Sequence, residues 1–328
     1  VTRALTKRFG DALALDGLDL EVARGEVFGF LGPNGAGKTT TIRLLLDLVR
    51  PTRGSASVLG LDPRRDAAEL HARMGYLPGD VNLPARQQGR AYLSDHAAIR
   101  RLDPHRSGRA IDELAERLGA DLDRPMGDLS LGNRRKVAMI DAFAHRPELL
   151  VLDEPTGGLD PLVQQTFRAL AREAAGEGRT VFLSSHVLDE VQHVADRVAV
   201  LRQGRLVAED RIEALLARLA RSVTVTFVDP SRPPGTGDGP PVDLSAFARV
   251  PHLQHVAALD GGRVEFVVDG PIGALVEAIA PWHPYDVRVD EPDLEDLFLG
   301  YYGGPEGSAP PTSTDAAGDA DRTREDPS

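Results

Sequence analysis

Short unbroken apolar runs recur along the first two thirds of the chain, each bounded by glycine, proline or polar residues. They are Glu26-Val27-Phe28-Gly29-Phe30-Leu31, Leu149-Leu150-Val151-Leu152, Thr180-Val181-Phe182-Leu183-Ser184 and Val198-Ala199-Val200-Leu201. Runs of this length without alternation predict strands buried on both faces. Residues 40–46 and 136–145 carry helical spacing instead. Strands alternating with helices of this size predict a mostly parallel α/β sheet. Short strands before residue 60, closed by Val58-Leu59-Gly60, predict an antiparallel piece. Residues 84–128 differ again. There Tyr92, Leu93, Ile99, Leu102, Ile111, Leu114 and Leu118 recur at helical intervals among many charges, with breaks at Pro104 and Gly119. They predict a small helical insert.

Near Arg221 the pattern changes to alternation, in Val223-Thr224-Val225-Thr226-Phe227-Val228. A loop rich in proline and glycine follows at 231–241. Val264-Glu265-Phe266-Val267-Val268 and Val287-Arg288-Val289 predict further strands, with helical patterns between them. The organisation expected is an α/β domain over residues 1–220, then a small α+β domain over 221–303, for which a ferredoxin-like arrangement is one candidate. Residues 304–328 are acidic and rich in Pro, Gly, Ser, Thr and Ala. Such a tail buries too little apolar surface to offset its ordering entropy, so it is expected to be disordered.

Composition narrows the classes. A 328-residue chain that is 41% hydrophobic can bury a core for one large and one smaller domain. No stretch approaches the roughly 18 to 20 apolar residues that cross a bilayer, and no leader pattern opens the sequence, so a soluble cytoplasmic protein is expected. The absence of cysteine excludes disulfides and thiolate metal sites and fits a reducing compartment. A net charge of −12 argues against a nucleic-acid partner, which calls for a basic footprint.

The run Gly32-Pro33-Asn34-Gly35-Ala36-Gly37-Lys38-Thr39 lies between a predicted strand and a predicted helix. It fits the phosphate-binding loop G-x-x-x-x-G-K-[ST], continued by Thr40. Glycines let the backbone turn its N–H groups toward phosphate oxygens, and the helix N-terminus adds a positive dipole end. Lys38 brings a point charge and Thr39 a hydroxyl placed for Mg²⁺. Lysine occurs only at Lys7, Lys38 and Lys136 in a chain otherwise supplied with arginine. Its use in this loop marks a place where a planar guanidinium does not serve.

Four further motifs follow in order. Leu149-Leu150-Val151-Leu152-Asp153-Glu154-Pro155 ends a buried strand in two carboxylates, one suited to holding Mg²⁺ (Asp153) and one to activating water (Glu154). Strand ends often carry solvated acids, so the pair alone defines no site. Asp128-Leu129-Ser130-Leu131-Gly132-Asn133 leads into a helix with Arg134, Arg135 and Lys136. It reads as a second anion site or as an ordinary capped helix with a basic face. Leu183-Ser184-Ser185-His186 places a histidine after a strand, within reach of a γ-phosphate or as a structural residue. Gly158-Leu159-Asp160 follows the acid pair.

In order, spacing and content, residues 1–220 resemble the ATP-binding subunit of an ABC transporter. The resemblance implies an α/β P-loop NTPase with a RecA-like core, an antiparallel β piece and a helical insert. It implies ATP and Mg²⁺ as ligands and two such domains paired head to tail, each ATP lying between one P-loop and the other copy's signature motif. Leu129-Ser130-Leu131-Gly132-Asn133 is then the signature, with Ser130 and Gly132 on the γ-phosphate. Asp160 lies in the D-loop, His186 is the switch histidine, and Phe9 in Lys7-Arg8-Phe9-Gly10 is the aromatic that stacks on adenine. The chain departs from the family pattern in places. Leu131 replaces a glycine and Asn133 a glutamine. In Met74-Gly75-Tyr76-Leu77-Pro78-Gly79-Asp80, Gly79 stands where the family has Gln or Glu linking the Mg²⁺ and water site to the membrane partner. Asp80, one position later, is a candidate substitute.

The segment Asp290-Glu291-Pro292-Asp293-Leu294-Glu295-Asp296-Leu297-Phe298-Leu299, followed by Gly300-Tyr301-Tyr302-Gly303, resembles the end of ABC-2 type ATPases, including daunorubicin-type drug-export ATPases. Its plainer reading is one amphipathic helix. The resemblance implies an ATP hydrolase on the inner face of the cell membrane that powers export through a separate multi-span permease, as a homodimer or with a similar subunit. A nucleotide-sensing regulatory module and an importer ATPase stand as alternatives.

Overall fold

The structure, a computed structural model, describes residues 1–216, 220–227 and 244–290. The chain divides into two compact units, Val1–Ile212 and Glu213–Ser328. The C-terminal motif from Glu291 onward, the loop at 231–241 and the acidic tail lie outside the described residues.

In the first unit, buried apolar strands assemble a six-stranded sheet. It is built from β3 (Val27–Leu31), β5 (Met74–Leu77), β6 (Leu149–Asp153), β7 (Thr180–Ser185), β8 (Arg197–Arg202) and β9 (Arg205–Arg211), numbered in chain order with β1 (Thr2–Phe9), β2 (Ala12–Leu20) and β4 (Arg53–Ala56). The sheet order is β5-β6-β7-β3-β8-β9, parallel except for the β8–β9 hairpin. Every residue of β3, β6 and β7 is buried, which explains their unalternated sequences. Phe182 stacks on Phe28 at 5.9 Å between centroids and packs on Phe30 at 5.3 Å, joining β7 to β3 through the core. Burying three such rings contributes about 1.5–3 kcal/mol each relative to exposure.

The register sets where chemistry can occur. Leu31 pairs with Ser185, and Asp153 pairs with Ser184. The carboxyl ends of β3, β6 and β7 therefore open side by side, the usual place for ligands in parallel sheets. A separate antiparallel sheet of order β2-β1-β4 forms the predicted antiparallel piece. It ends at Ala56, and Val58 makes only an isolated bridge to Leu61, so the expected closure at 58–60 is a turn rather than a strand.

The helices in chain order are α1 (Lys38–Leu45), α2 (Ala67–Ala72), α3 (Gly89–Ile99), α4 (Pro104–Leu118), α5 (Leu131–Phe143), α6 (Pro161–Gly176), α7 (Leu188–Gln192), α8 (Ile212–Leu216) and α9 (Gly273–Ile279). Helices α3 and α4 form the insert. Pro104 starts α4 rather than merely breaking a helix, because Asp103 caps it by accepting from the Arg106 N–H at 2.8 Å. Helix α5 begins at Leu131, ahead of the basic run, and ends at Phe143, two residues short of the expected His145. Ser130 caps it through the Asn133 N–H at 3.2 Å, so the basic run lies inside the helix.

The second unit holds β10 (Arg221–Thr226), β11 (Leu253–Leu259), β12 (Arg263–Val268) and β13 (Asp286–Asp290), antiparallel in the order β11-β12-β10-β13. Its core is its own, centred on Phe247 edge-on to Phe266 at 4.9 Å, with Leu275 and Ile279 of α9. Among the described residues, a 3₁₀ turn at Leu244–Phe247 precedes β11, where a β-α-β-β-α-β plan has its first helix, and α9 precedes β13 in the place of its second.

Candidate active site

The loop of residues 32–37 joins β3 to α1. Gly37 adopts φ 111°, and a Cβ there would lie 2.6 Å from the Ala14 carbonyl oxygen, so only glycine lets the loop turn into the helix. Pro33, Asn34 and Gly35 are exposed, while Ala36 and Lys38 are buried beneath them. Buried Lys38 donates to the Gly32 carbonyl at 2.6 Å and pairs with Glu154 Oε1 at 3.2 Å.

Asp153 is 2% exposed, yet both its oxygens are occupied. Thr39 Oγ1 donates to Oδ2 at 2.9 Å, and Ser184 Oγ donates to Oδ1 at 2.5 Å. Two hydroxyl donors offset the cost of burying that carboxylate. Glu154, the next residue, has φ 50°, a left-handed conformation uncommon outside glycine. Its N–H donates to the Ser184 carbonyl at 3.1 Å, which holds the turn. The turn carries the Glu154 side chain between two partners, the Lys38 ammonium on Oε1 and His186 Nδ1 on Oε2 at 2.7 Å. Backbone strain of this kind costs about 1–3 kcal/mol and gathers at functional sites.

Lys38, Thr39, Asp153, Glu154 and His186 thus meet in one cluster, as the sequence motifs suggest. No hydrogen bond or ion pair among the described residues joins Ser130, Gly132, Asp160 or Phe9 to it. Ser130 is exposed at the tip of α5, and Gly132 packs close to Gly158, where a Cβ would stand 3.3 Å from its carbonyl oxygen. Asp160 caps α6 through the Val163 N–H at 3.0 Å. Phe9 is 49% exposed, with the Lys7 ammonium 4.7 Å from its ring centre. Asn133 turns away from the exposed tip and binds the backbone of Asp121 twice, at 2.9 and 2.8 Å, fastening α5 to the end of the insert. Gly79 offers only its carbonyl, which accepts from Arg135 at 2.5 Å, and Asp80 is exposed.

Three residues outside the predicted set shape the site. Ser184 holds Asp153. Glu190 accepts from the Thr156 hydroxyl and, at 3.2 Å, from the Ser185 hydroxyl, tying the segment after the acid pair to the end of β7. Arg135 reaches three carbonyls of the surrounding loops. Ser184 sits inside a motif the sequence singles out. Arg135 sits in the basic run after the Ser130 motif, where the sequence does not distinguish it from Arg134 and Lys136, and nothing in the sequence pattern marks Glu190. An apolar cavity of about 240 Å³ lies elsewhere, at the opposite ends of β6 and β7 beside Leu149 and Thr180, and takes no part in this cluster.

A phosphate loop at the carboxyl end of a central parallel strand, faced by a strand-end acid pair, defines a P-loop nucleotide-binding protein. Comparison with known proteins narrows the class. The sequence pattern of the ABC transporter family matches residues 15–157. The chain is 42% identical over 213 residues to daunorubicin resistance ATP-binding protein DrrA3 of Streptomyces coeruleorubidus, covering 64% of this chain and 67% of that one. It is 33% identical over 309 residues to Nod factor export ATP-binding protein I of Rhizobium meliloti, covering 90% and 85%. A solved ATP-binding subunit of an ABC transporter superposes with a TM-score of 0.62 at 26% identity, over 65% of this chain and 90% of that one. The chain belongs to the ABC transporter family, among its ATP-binding subunits.

Proposed function

We propose that this chain binds and hydrolyses ATP to power export through a separate membrane permease. The observation that carries the reading is the Glu154 carboxylate, held in a strained turn between Lys38 and His186, beside the Thr39 and Asp153 oxygens. Thr39 and Asp153 present hard oxygen donors 2.9 Å apart next to the phosphate loop, a donor set that suits Mg²⁺ held jointly with nucleotide phosphates. These two residues would hold the ion, which when bound neutralises charge on the phosphate oxygens.

The residues divide the work as follows. Backbone N–H groups of the loop 32–40 and the Lys38 ammonium receive the β- and γ-phosphates. An incoming phosphate competes with Glu154 for Lys38 and leaves the carboxylate free to accept a proton. Water attacks the γ-phosphorus, an O–P bond forms as the bond to the β-phosphate oxygen breaks, and the water proton passes to Glu154. His186 orients that carboxylate through Nδ1 and turns its half-exposed ring toward the γ-phosphate. Phe9 offers its exposed face to adenine. Ser130, Gly132 and Asp160, exposed or near the surface and apart from the cluster, serve the ATP of a second copy, so the working unit is a homodimer.

The relatives named for daunorubicin resistance and Nod factor export support the export direction. No helix among the described residues is long and apolar enough to cross a membrane; on this reading the translocation path belongs to the separate permease. The subunit then works at the inner face of the membrane. Glu154→Gln tests the reading. It should bind ATP as the parent does and hydrolyse it at least about a hundredfold more slowly, the lower range for a lost general base. Near-parental turnover would remove Glu154 from this role.

A further inference from the structure

Arg135 belongs to α5, the helix that Ser130 caps. It is 6% exposed, and no carboxylate lies within ion-pair distance of it among the described residues. Its donors go to backbone carbonyls. Nη1 donates to Glu154 at 2.9 Å and to Gly157 at 2.5 Å, and Nη2 donates to Gly79 at 2.5 Å, while Nε has no partner. Burial lowers the guanidinium's proton affinity, opposed by the charges of Glu154, Asp153, Asp80 and Glu190. A buried cation of this kind is costly, and three carbonyls from two separate loops offset that cost together.

The surrounding backbone is cut to admit it. A Cβ at Gly157 would stand 2.6 Å from Nη1, and the other atoms near it are no closer than 3.7 Å. Gly157 has no positive φ, so this glycine makes room for the guanidinium and relieves no backbone strain. At Gly79 a Cβ would stand 3.3 Å from Asp153 Oδ2. A longer side chain at 79 would therefore begin beside the acid pair. With glycine there, the contact between that loop and the Glu154 segment runs through Arg135.

We propose that Arg135 is a positioning residue that ties the Gly79 loop to the Glu154 backbone, linking hydrolysis to that loop in place of a side chain at position 79. The proposal rests on the ATPase reading above. Arg135 acts through the backbone carbonyls it holds. It fixes the turn that aims Glu154 and reports the turn's state to residues 78–80.

The test is a double-mutant cycle with Gly157→Ala, whose added methyl meets only the Arg135 guanidinium at short range. Alone, Gly157→Ala should lower kcat about ten- to a hundredfold, the scale of a misplacement near 1 Å, with ATP affinity unchanged. Arg135→Met should do the same. The double variant should match Arg135→Met, because the methyl then has nothing to displace. Hydrogen exchange supplies the second readout. In the parent, ATP should change protection of the amides after Gly79, and in Arg135→Met that response should vanish while other loop 32–40 responses persist. Parental kcat in Gly157→Ala, multiplicative losses in the double variant, or an unchanged exchange response in Arg135→Met would overturn the proposal. Glu154→Gln run alongside separates the two readings: if it hydrolyses normally the ATPase assignment fails, whereas if it is slow and the cycle is additive only the Arg135 role fails.

Discussion

Glu154 and Asp153 are neighbours in sequence with opposite surroundings. Asp153 is sealed in and saturated by two hydroxyls, and Glu154 is turned out by a left-handed backbone to face Lys38 and His186. One carboxylate is fixed by its hydroxyl donors, as the proposed metal ligand should be, and the other is left with partners it can exchange. Ser184 keeps this difference, since its hydroxyl holds Asp153 Oδ1 and its carbonyl holds the Glu154 N–H. Ser184→Ala removes only the hydroxyl. It should raise the Mg²⁺ concentration for half-maximal hydrolysis about tenfold or more, the range for lost outer partners of a metal ligand, with metal-free nucleotide binding unaltered. A magnesium titration of activity checks this, and an unshifted curve would remove Ser184 from that role. The acid pair was readable in sequence because both residues close an apolar run. The Lys38–Glu154 and Ser184–Asp153 contacts were not, because they depend on which strand ends lie side by side, and sequence spacing does not encode strand order.

Helix α5 makes different contacts at its start, middle and end. Its N-terminal tip carries Ser130, its middle carries Arg135, and just past its end His145 Nε2 lies 3.0 Å from the Met74 carbonyl at the start of β5. A carbonyl only accepts, so Nε2 bears the proton of a neutral ring. Burial first, then the nearby Arg100 charge, hold the His145 pKa below its usual 6.5, against the Met74 and Asp141 contacts that raise it. The unfolded chain therefore takes up this proton at a higher pH than the folded one. The stability from neutral His145 is present above 6.5 and lost as pH falls through the folded pKa. Thermal unfolding followed from pH 7 to pH 5 should show a shallower fall in Tm for His145→Gln than for the parent, and parallel slopes would contradict the assignment. The sequence places Arg135 in the first turns of this helix, as part of an anion site or a basic face, and does not show that it is buried. Three consecutive basic residues look alike in sequence, and only the tertiary packing buries one of them.

At the scale of the molecule, the alternation of buried strands and helices was legible because a parallel sheet leaves unbroken apolar runs. The small α+β unit was legible for the opposite reason, since β10 and β12 alternate buried and partly buried positions. Three of the motif residues stand apart from the cluster. Ser130, Gly132 and Asp160 belong to the motif set, yet no bond brings them to the Lys38–Glu154 cluster of the same copy. In the proposed homodimer they serve the ATP of the second copy. Mixing two inactive variants tests this most directly. Glu154→Gln lacks the base and Ser130→Arg blocks the opposing tip, so each homodimer should be inactive at both sites. A mixed dimer should regain one intact site, formed by Glu154 of one copy and Ser130 of the other. Hydrolysis in an equimolar mixture should recover to about a quarter of the parental rate under random pairing. Activity no greater than the mean of the two variants alone would show that each site is complete within a single chain.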